Sequence, residues 1–431
     1  MSAITAKARR KMKKYAVLTR EPRCFLGSFD FSWEQRKLGD MMNVTSVKRI
    51  HQSDWTDSGV RFLRARDIVA AAKNEEPDDY LYISKEKYEE YSALSGKVGV
   101  SDLLVTGVGT IGVPYLVRNL EPLYFKDGNI IWFQNSNKID GKFLFYSFSA
   151  EQIQGFVNES AGIGTVGTYT IESGKKTPIS LPNQIEQAKV GEFFQQLYNL
   201  ITLHQRKYDK LTNVKKSMLE KMFPKNGSNV PEIRFKGFTE AWEQRKLGEV
   251  GETYTGLSGK SKDDFGHGSG KFITYMNVFS NPVASPNMTE AIEIDDSQNK
   301  VRFGDVLFTT SSETPAEVGM SSVWLENAEN TYLNSFCFGY RPTAEFNPYY
   351  LAYMLRSSSM RKKIIFLAQG ISRYNISKNK MMDIEMPIPS IDEQKQIGEY
   401  FANLDRLITL HQRELEKLQN IKKSMLEKMF V

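Results

Sequence analysis

Two long stretches of the chain carry their apolar residues on a single helical stripe. In the first, these fall at Val190, Phe194, Leu197, Ile201, Leu211, Val214, Met218 and Met222. In the second they fall at Ile397, Phe401, Leu404, Ile408, Leu418, Ile421, Met425 and Met429. Near-heptad spacing keeps such positions on one face of a helix and on neither face of a strand. Each stretch also has a start signal. Asn183 with Glu186 and Ser390 with Glu393 approximate a capping box, and each follows a proline, Pro182 or Pro389. The pattern predicts helices over Asn183–Phe223 and Ser390–Phe430, roughly 60 Å long at a helical rise of about 1.5 Å per residue. A helix of that length cannot be buried in one small domain. Its stripe calls for a partner of similar length, and each copy is the best candidate for the other, which predicts an intramolecular coiled coil.

The two helices are copies. Leu200–Phe223 recurs as Leu407–Phe430 with 19 identities in 24 positions at an offset of 207. A second pair, Trp33–Gly39 and Trp242–Gly248, both WEQRKLG, recurs at an offset of 209. Each half therefore begins with WEQRKLG and ends with a long helix, and a dissimilar block lies between, at about 40–180 and 249–387. Within the blocks, short runs such as Asp102–Thr106, Asn129–Phe133, Asp305–Thr310 and Ser335–Tyr340 are β-type and punctuated by Gly and Pro. Both blocks keep a faint common order: a polar turn, Asp-apolar-Leu, then a Gly/Ser/Thr-rich loop. The expected fold class is α+β, with two domains in pseudo-two-fold arrangement separated by the repeated helices. The expected divisions are a disordered basic tail at 1–23, a first domain at 24–182, its helix at 183–223, a linker at 224–240, a second domain at 241–389 and its helix at 390–431.

Composition narrows the chemistry. Of 431 residues, 40% are hydrophobic, enough for proper cores. The net charge of +6 is a poor nucleic-acid signature, because residues 1–23 alone carry +7 and leave the rest at −1. Any DNA affinity must come from local patches. No apolar run is long enough for a membrane span, and the only cysteines, Cys24 and Cys337, suit a reducing cytoplasm.

Catalytic motifs mostly fail. Gly107-Val-Gly109-Thr-Ile-Gly112 and Gly162-Ile-Gly164-Thr-Val-Gly167 match GxGxxG, but Pro114 follows the first and a β-branched, aromatic stretch the second, where a dinucleotide site needs a helix. Gly259-Lys260-Ser261 ends like a phosphate loop, yet Tyr254 stands where its first glycine should. No Asn-Pro-Pro-aromatic motif of amino-methyltransferases occurs. His51 and His267 lack ligand-spaced partners, and His204 and His411 read as polar helix residues. The expectation is therefore a chain with no catalytic, cofactor-binding or metal-binding residues.

Residues suited to DNA do occur inside the blocks. Arg61, Arg64 and Arg66 lie close together in VRFLRARDI, with Arg64 and Arg66 in the alternation of a strand or its end. Thr274, Tyr275 and Asn277 occupy the comparable stretch of the second block. In the loops before the helices, Thr165, Thr168 and Tyr169, and likewise Ser372, Arg373, Tyr374 and Asn375, offer groups able to read bases or grip phosphates.

The WEQRKLG(D/E) segments, the Leu-Pro and Ile-Pro block ends, the Glu186-Gln187 and Glu393-Gln394 pairs and the KKSML helix ends together resemble the specificity subunits of type I restriction-modification systems, over residues from about 24 to 431. One departure is Pro22–Phe29 (PRCFLGSF), which only faintly mirrors Pro231–Phe238 (PEIRFKGF). The resemblance implies a non-catalytic, cytoplasmic chain that binds double-stranded DNA, in which each block is a target-recognition domain reading one half of a bipartite asymmetric site. It implies further that the helices pair antiparallel, set the spacing and dock two methyltransferase subunits. S-adenosylmethionine chemistry would then belong to those partners, and restriction/translocase subunits would join the larger complex. Two rival readings are a stand-alone adenine methyltransferase and a structural coiled-coil scaffold.

Overall fold

The structure is a computed structural model that describes residues 33–162, 167–225 and 227–430. It divides into two compact units, one of residues 1–204 with 414–431, the other of residues 205–413. The two long helices run over Gln184–Lys221 and Ile391–Met429, and each contributes to both units.

In the first unit, WEQRKLG forms the strand Glu34–Lys37, which pairs antiparallel with Pro178–Leu181 just before the long helix. Start and end of the block thus meet in one ribbon. Between them, a four-stranded sheet in the spatial order 43–45, 130–134, 103–106, 114–116 carries a second sheet and several short helices. Val190 and Phe194 at the start of the first helix pack with Met425 and Phe430 from the end of the second, in one core with Leu103, Phe133 and Phe143.

The second unit repeats this plan. Glu243–Lys246 pairs with Glu385–Ile388, and the main sheet runs 251–255, 337–342, 306–309, 321–323. Here Met222 and Phe223 at the end of the first helix pack with Ile397, Phe401 and Leu404 at the start of the second. Within each unit the helix segments therefore lie antiparallel: Phe194 meets Phe430 and Lys422 covers Tyr198 in one, while Phe223 stacks on Phe401 and Lys215 bonds Asp405 in the other.

The helix starts are built alike. Gln187 accepts from the Asp140 amide at 3.0 Å and donates to the Pro182 carbonyl at 2.8 Å; Gln394 does the same with Asn347 at 3.0 Å and Pro389 at 2.9 Å. Gly191 and Gly398 let the helix approach closely, since a Cβ on either would lie 2.7 Å from the side-chain oxygen of Asp140 or Asn347. The expected capping boxes form by halves. Asn183 and Ser390 accept from the amides of Glu186 and Glu393, but the glutamates do not return the bond. Glu186 accepts from the Trp33 indole at 3.2 Å, and Glu393 forms a two-pronged ion pair with Arg234 at 2.7 and 2.8 Å.

Candidate nucleic-acid interface

In both units the first group of candidates sits at a strand-to-helix junction. Strand Val60–Leu63 pairs parallel with Leu123–Phe125 and leads into helix Ala65–Ala72; the strand ending at Ile273 pairs parallel with Thr331–Leu333 and leads into helix Tyr275–Ser280. Arg64 and Thr274 are the two N-caps. The expected strand alternation of Arg64 and Arg66 is therefore corrected: Asp67 accepts from the Arg64 amide at 2.8 Å and starts the helix there, so only Arg61 is on the strand.

The arginines are engaged within the unit. Arg64 bonds Asp67 and Asp79, and Arg66 also bonds Asp79. Partial burial works against the Arg64 charge, but the bonds to these two carboxylates outweigh it and raise its pKa; Asp79 is lowered by the same contact. The Arg61 guanidinium covers the Tyr80 ring at 4.3 Å. Arg64 keeps only 14% of its side chain exposed, whereas Arg66 keeps 58%, so Arg66 is the freer of the two.

At the second junction, Thr274 accepts from the Asn277 amide, and Asn277 is fully buried with its side chain bonded to the backbone of Ser285 and Met288. The Tyr275 hydroxyl donates to the Ser311 carbonyl at 2.7 Å.

The second group of candidates occupies equivalent loops. The Tyr169 amide donates to Gly107 O in one unit and the Ile376 amide to Thr310 O in the other, in each case just past the central strand. Thr168 is exposed, while Tyr169 is buried with its hydroxyl bonded to Thr177 and its pKa raised by burial. Thr165 lies outside the described residues. In the second unit, Gln369 and Asn375 exchange two backbone hydrogen bonds and hold a short finger whose tip exposes Ile371, Ser372 and Arg373. Tyr374–Asn375 pairs with Ser311–Ser312, so the finger and Tyr275 share one neighbourhood. Arg373 covers the ring of Phe336, which is 55% exposed, and Ile371 is 95% exposed. The sequence reading missed these two apolar side chains; Gly370 beside Ile371, with φ of 142°, is the one local hint of a projecting turn. In the first unit, no hydrogen bond or ion pair among the described residues joins Arg61, Arg64 or Arg66 to Thr168 or Tyr169.

Gly107–Gly112 proves to be the turn of a hairpin, because Leu103–Thr106 pairs antiparallel with Pro114–Leu116. Its glycines answer to packing: a Cβ on Gly107 would lie 2.7 Å from Tyr169 O, and one on Gly112 2.8 Å from Val157. Among the described residues, no group of three or more His, Cys, Asp or Glu is placed to hold a metal ion, and no helix is long and apolar enough to cross a membrane.

The family model for the type I restriction modification DNA specificity domain matches the chain twice, at residues 32–213 and 239–420. The type I restriction enzyme MjaVIII specificity subunit of Methanocaldococcus jannaschii is 24% identical over 322 residues, 68% of this chain and 70% of its own. The StySPI specificity subunit of Salmonella potsdam is 32% identical over 130 residues, 30% of this chain and 28% of its own. In fold, the chain is similar to the type-I restriction-modification S subunit from M. genitalium, with a TM-score of 0.53, 13% identity, and 94% and 97% of the two chains covered. Two matched copies that take in most of the sequence, each with the same sheet order and helix start, place this chain in the family of type I restriction-modification specificity subunits.

Proposed function

We propose that this chain is the non-catalytic DNA-reading subunit of a type I restriction-modification complex, and that each unit reads one half of a bipartite, asymmetric double-stranded target. The observation that carries the reading is one frame with two faces. The same sheet order, ribbon and helix start recur, while the residues at the strand-to-helix junction and the following loop differ: exposed Arg66 and Thr168 with half-buried Arg61 and Arg64 in one unit, exposed Ser372, Arg373 and Asn375 with half-buried Thr274, Tyr275 and Tyr374 in the other. Similar frames with unlike contact residues suit unlike half-sites. The domain limits are those read from the repeat, 24–182 and 241–389, and the two long helices pair along their length to set the spacing. Those helices also dock two methyltransferase subunits, which bring S-adenosylmethionine and the adenine chemistry, and restriction/translocase subunits complete the assembly.

Exchange of residues 40–180 for the corresponding block of a relative tests the reading. Mapping of methylated adenines in cells carrying the chimera should show one half of the target changed and the other half and the spacing retained. A change in both halves would refute independent reading.

A further inference from the structure

Lys215 and Lys422 hold equivalent positions in the repeated helix segment, 207 residues apart, and their surroundings differ in charge. In the second unit, Lys215 forms an ion pair with Asp405, the Tyr353 hydroxyl donates to the same carboxylate at 2.9 Å, and the ammonium lies 5.6 Å from the centre of the Tyr353 ring. The same offset puts Tyr198 in the first unit at the place of Asp405, and Tyr146 at the place of Tyr353. The offset holds structurally at the adjoining short helices, where Asp140 and Asn347 cap the amides of Phe143 and Tyr350.

The first unit thus keeps the lysine and the tyrosine and lacks the acid. The Tyr198 hydroxyl donates to Asn74, and its ring lies 6.0 Å from the Lys422 ammonium. No described carboxylate forms an ion pair with Lys422, and burial lowers its pKa. Tyr146 is 1% exposed, and its hydroxyl makes no hydrogen bond of normal geometry among the described residues, with the Arg118 guanidinium close enough only for a weak, long contact. Burial pushes that phenol up to about 12, with Arg118 pulling the other way. Arg118 stands where the second unit has Leu325, since the amides of Val117 and Trp324 next to them donate to Asp102 O and Asp305 O alike. It is exposed, bonded to Gln195 and placed over Phe145. Relative to its twin, the first unit has lost the acid at this place; it has also exchanged Arg356, which lies near Asp405 and Tyr353 in the second unit, for Ser149, and carries Arg118 instead.

A desolvated ammonium without a counter-charge and a buried hydroxyl without a hydrogen bond of normal geometry are both costly. A single carboxylate relieves both, because it accepts from an ammonium, a guanidinium and a phenol together. We propose that Lys422, Tyr146 and Arg118 form a receptor for an acidic side chain of a partner subunit, which supplies the group that Asp405 supplies internally in the second unit. The choice of a partner rests on the complex proposed above; the choice of a carboxylate rests on the twin alone.

Thermal melting of the full chain in sodium acetate, against sodium chloride at matched ionic strength, tests the receptor. Acetate at about tenfold excess over its dissociation constant should raise the melting temperature by about 2–3 °C. Lys422→Met should abolish the rise, and so should Tyr198→Asp, which restores an internal acid. Equal melting in the two salts, or a rise with inorganic phosphate and none with acetate, overturns the carboxylate receptor. Assembly with the methyltransferase subunit tests the source. Lys422→Met and Tyr146→Phe should each weaken it about tenfold or more while leaving the fold intact, as truncation of one side of a buried charge contact does. If the wild-type chain assembles and both variants match it, the partner assignment falls; if the wild-type chain does not assemble, the functional reading falls while the acetate result still decides the receptor.

Discussion

The same glutamate begins the long helix in both units, and each unit has found it a different partner. Glu186 takes one neutral hydrogen bond from Trp33, while Glu393, 1% exposed, takes a two-pronged bond from Arg234. Arg234 comes from the segment that joins the first helix to the second block, and at its counterpart in Pro22–Phe29 the sequence has Phe25. In the second unit Trp242 stands where Trp33 does, and its indole nitrogen has no partner among the described residues. A repeated motif therefore fixes which groups need satisfying, and local sequence decides how. The carboxylate is the constant; its counterpart is free to vary between a neutral donor and a cation.

The sharpest way to break this comparison is to remove the partners. Arg234→Ala leaves Glu393 buried without its cation and should cost about 3–5 kcal/mol. Trp33→Phe removes a single donor while keeping a ring against Phe143 and Phe430, and should cost about 1 kcal/mol. Denaturant unfolding of both variants measures the difference, and equal losses would mean that the two glutamates do equivalent work.

The junctions offer a second contrast of smaller size. Arg64→Ala deprives the buried Asp67 of its closer ion pair at the helix start, leaving only the longer one to Arg66 at 3.8 Å, and should lower stability by about 1–3 kcal/mol, whereas Arg66→Ala should stay within about 0.5 kcal/mol. Thr274→Ala, the matching cap, should cost about 1 kcal/mol. Loss of DNA affinity in a chain with both arginines replaced would thus mix misfolding with lost contacts, and Arg66→Ala alone is the cleaner probe. If Arg64→Ala unfolds no more readily than Arg66→Ala, the stabilising role assigned to the Arg64 ion pairs is wrong.

The smallest effect on stability and the most specific one on binding is expected at the finger. Arg373→Ala should leave unfolding unchanged within about 0.5 kcal/mol. If it grips a phosphate, the salt dependence of DNA affinity should fall by about one unit for all sequences; if it reads a base, one position should relax at a cost of about 1–3 kcal/mol. Affinity unaltered at every salt concentration would remove the finger from the interface.

Much of the frame was legible in the sequence because it is written twice. The helices were found within two residues of their ends, since a 19-in-24 repeat with an apolar stripe admits few readings. The Asp-apolar-Leu order also held: Asp102 and Asp305 each accept from the amide three residues back and open the central strand of the main sheet. The candidate site was harder to read. Arginine spacing suggested a strand because Arg64 and Arg66 alternate, but Asp67, three residues on from Arg64, captures the Arg64 amide and turns the chain into a helix. Asp79 lies 15 residues from Arg64 and is brought to it only by the fold. Tyr169 and Asn277 look like polar contact residues in sequence, yet each is buried with internal partners. Donor and acceptor type alone does not distinguish a side chain that serves the fold from one that serves a ligand.

Two ribbons, Glu34–Lys37 with Pro178–Leu181 and Glu243–Lys246 with Glu385–Ile388, each tie off one block where it leaves and rejoins the common frame. With the ends of the block fastened, lengthening a flexible surface loop within it adds mainly loop-closure entropy, about 0.6 kcal/mol for each doubling of that loop. Insertions and deletions are tolerated between the two fastened ends far more readily than in the ribbon itself, where a shift of one residue would turn every side chain to the opposite side.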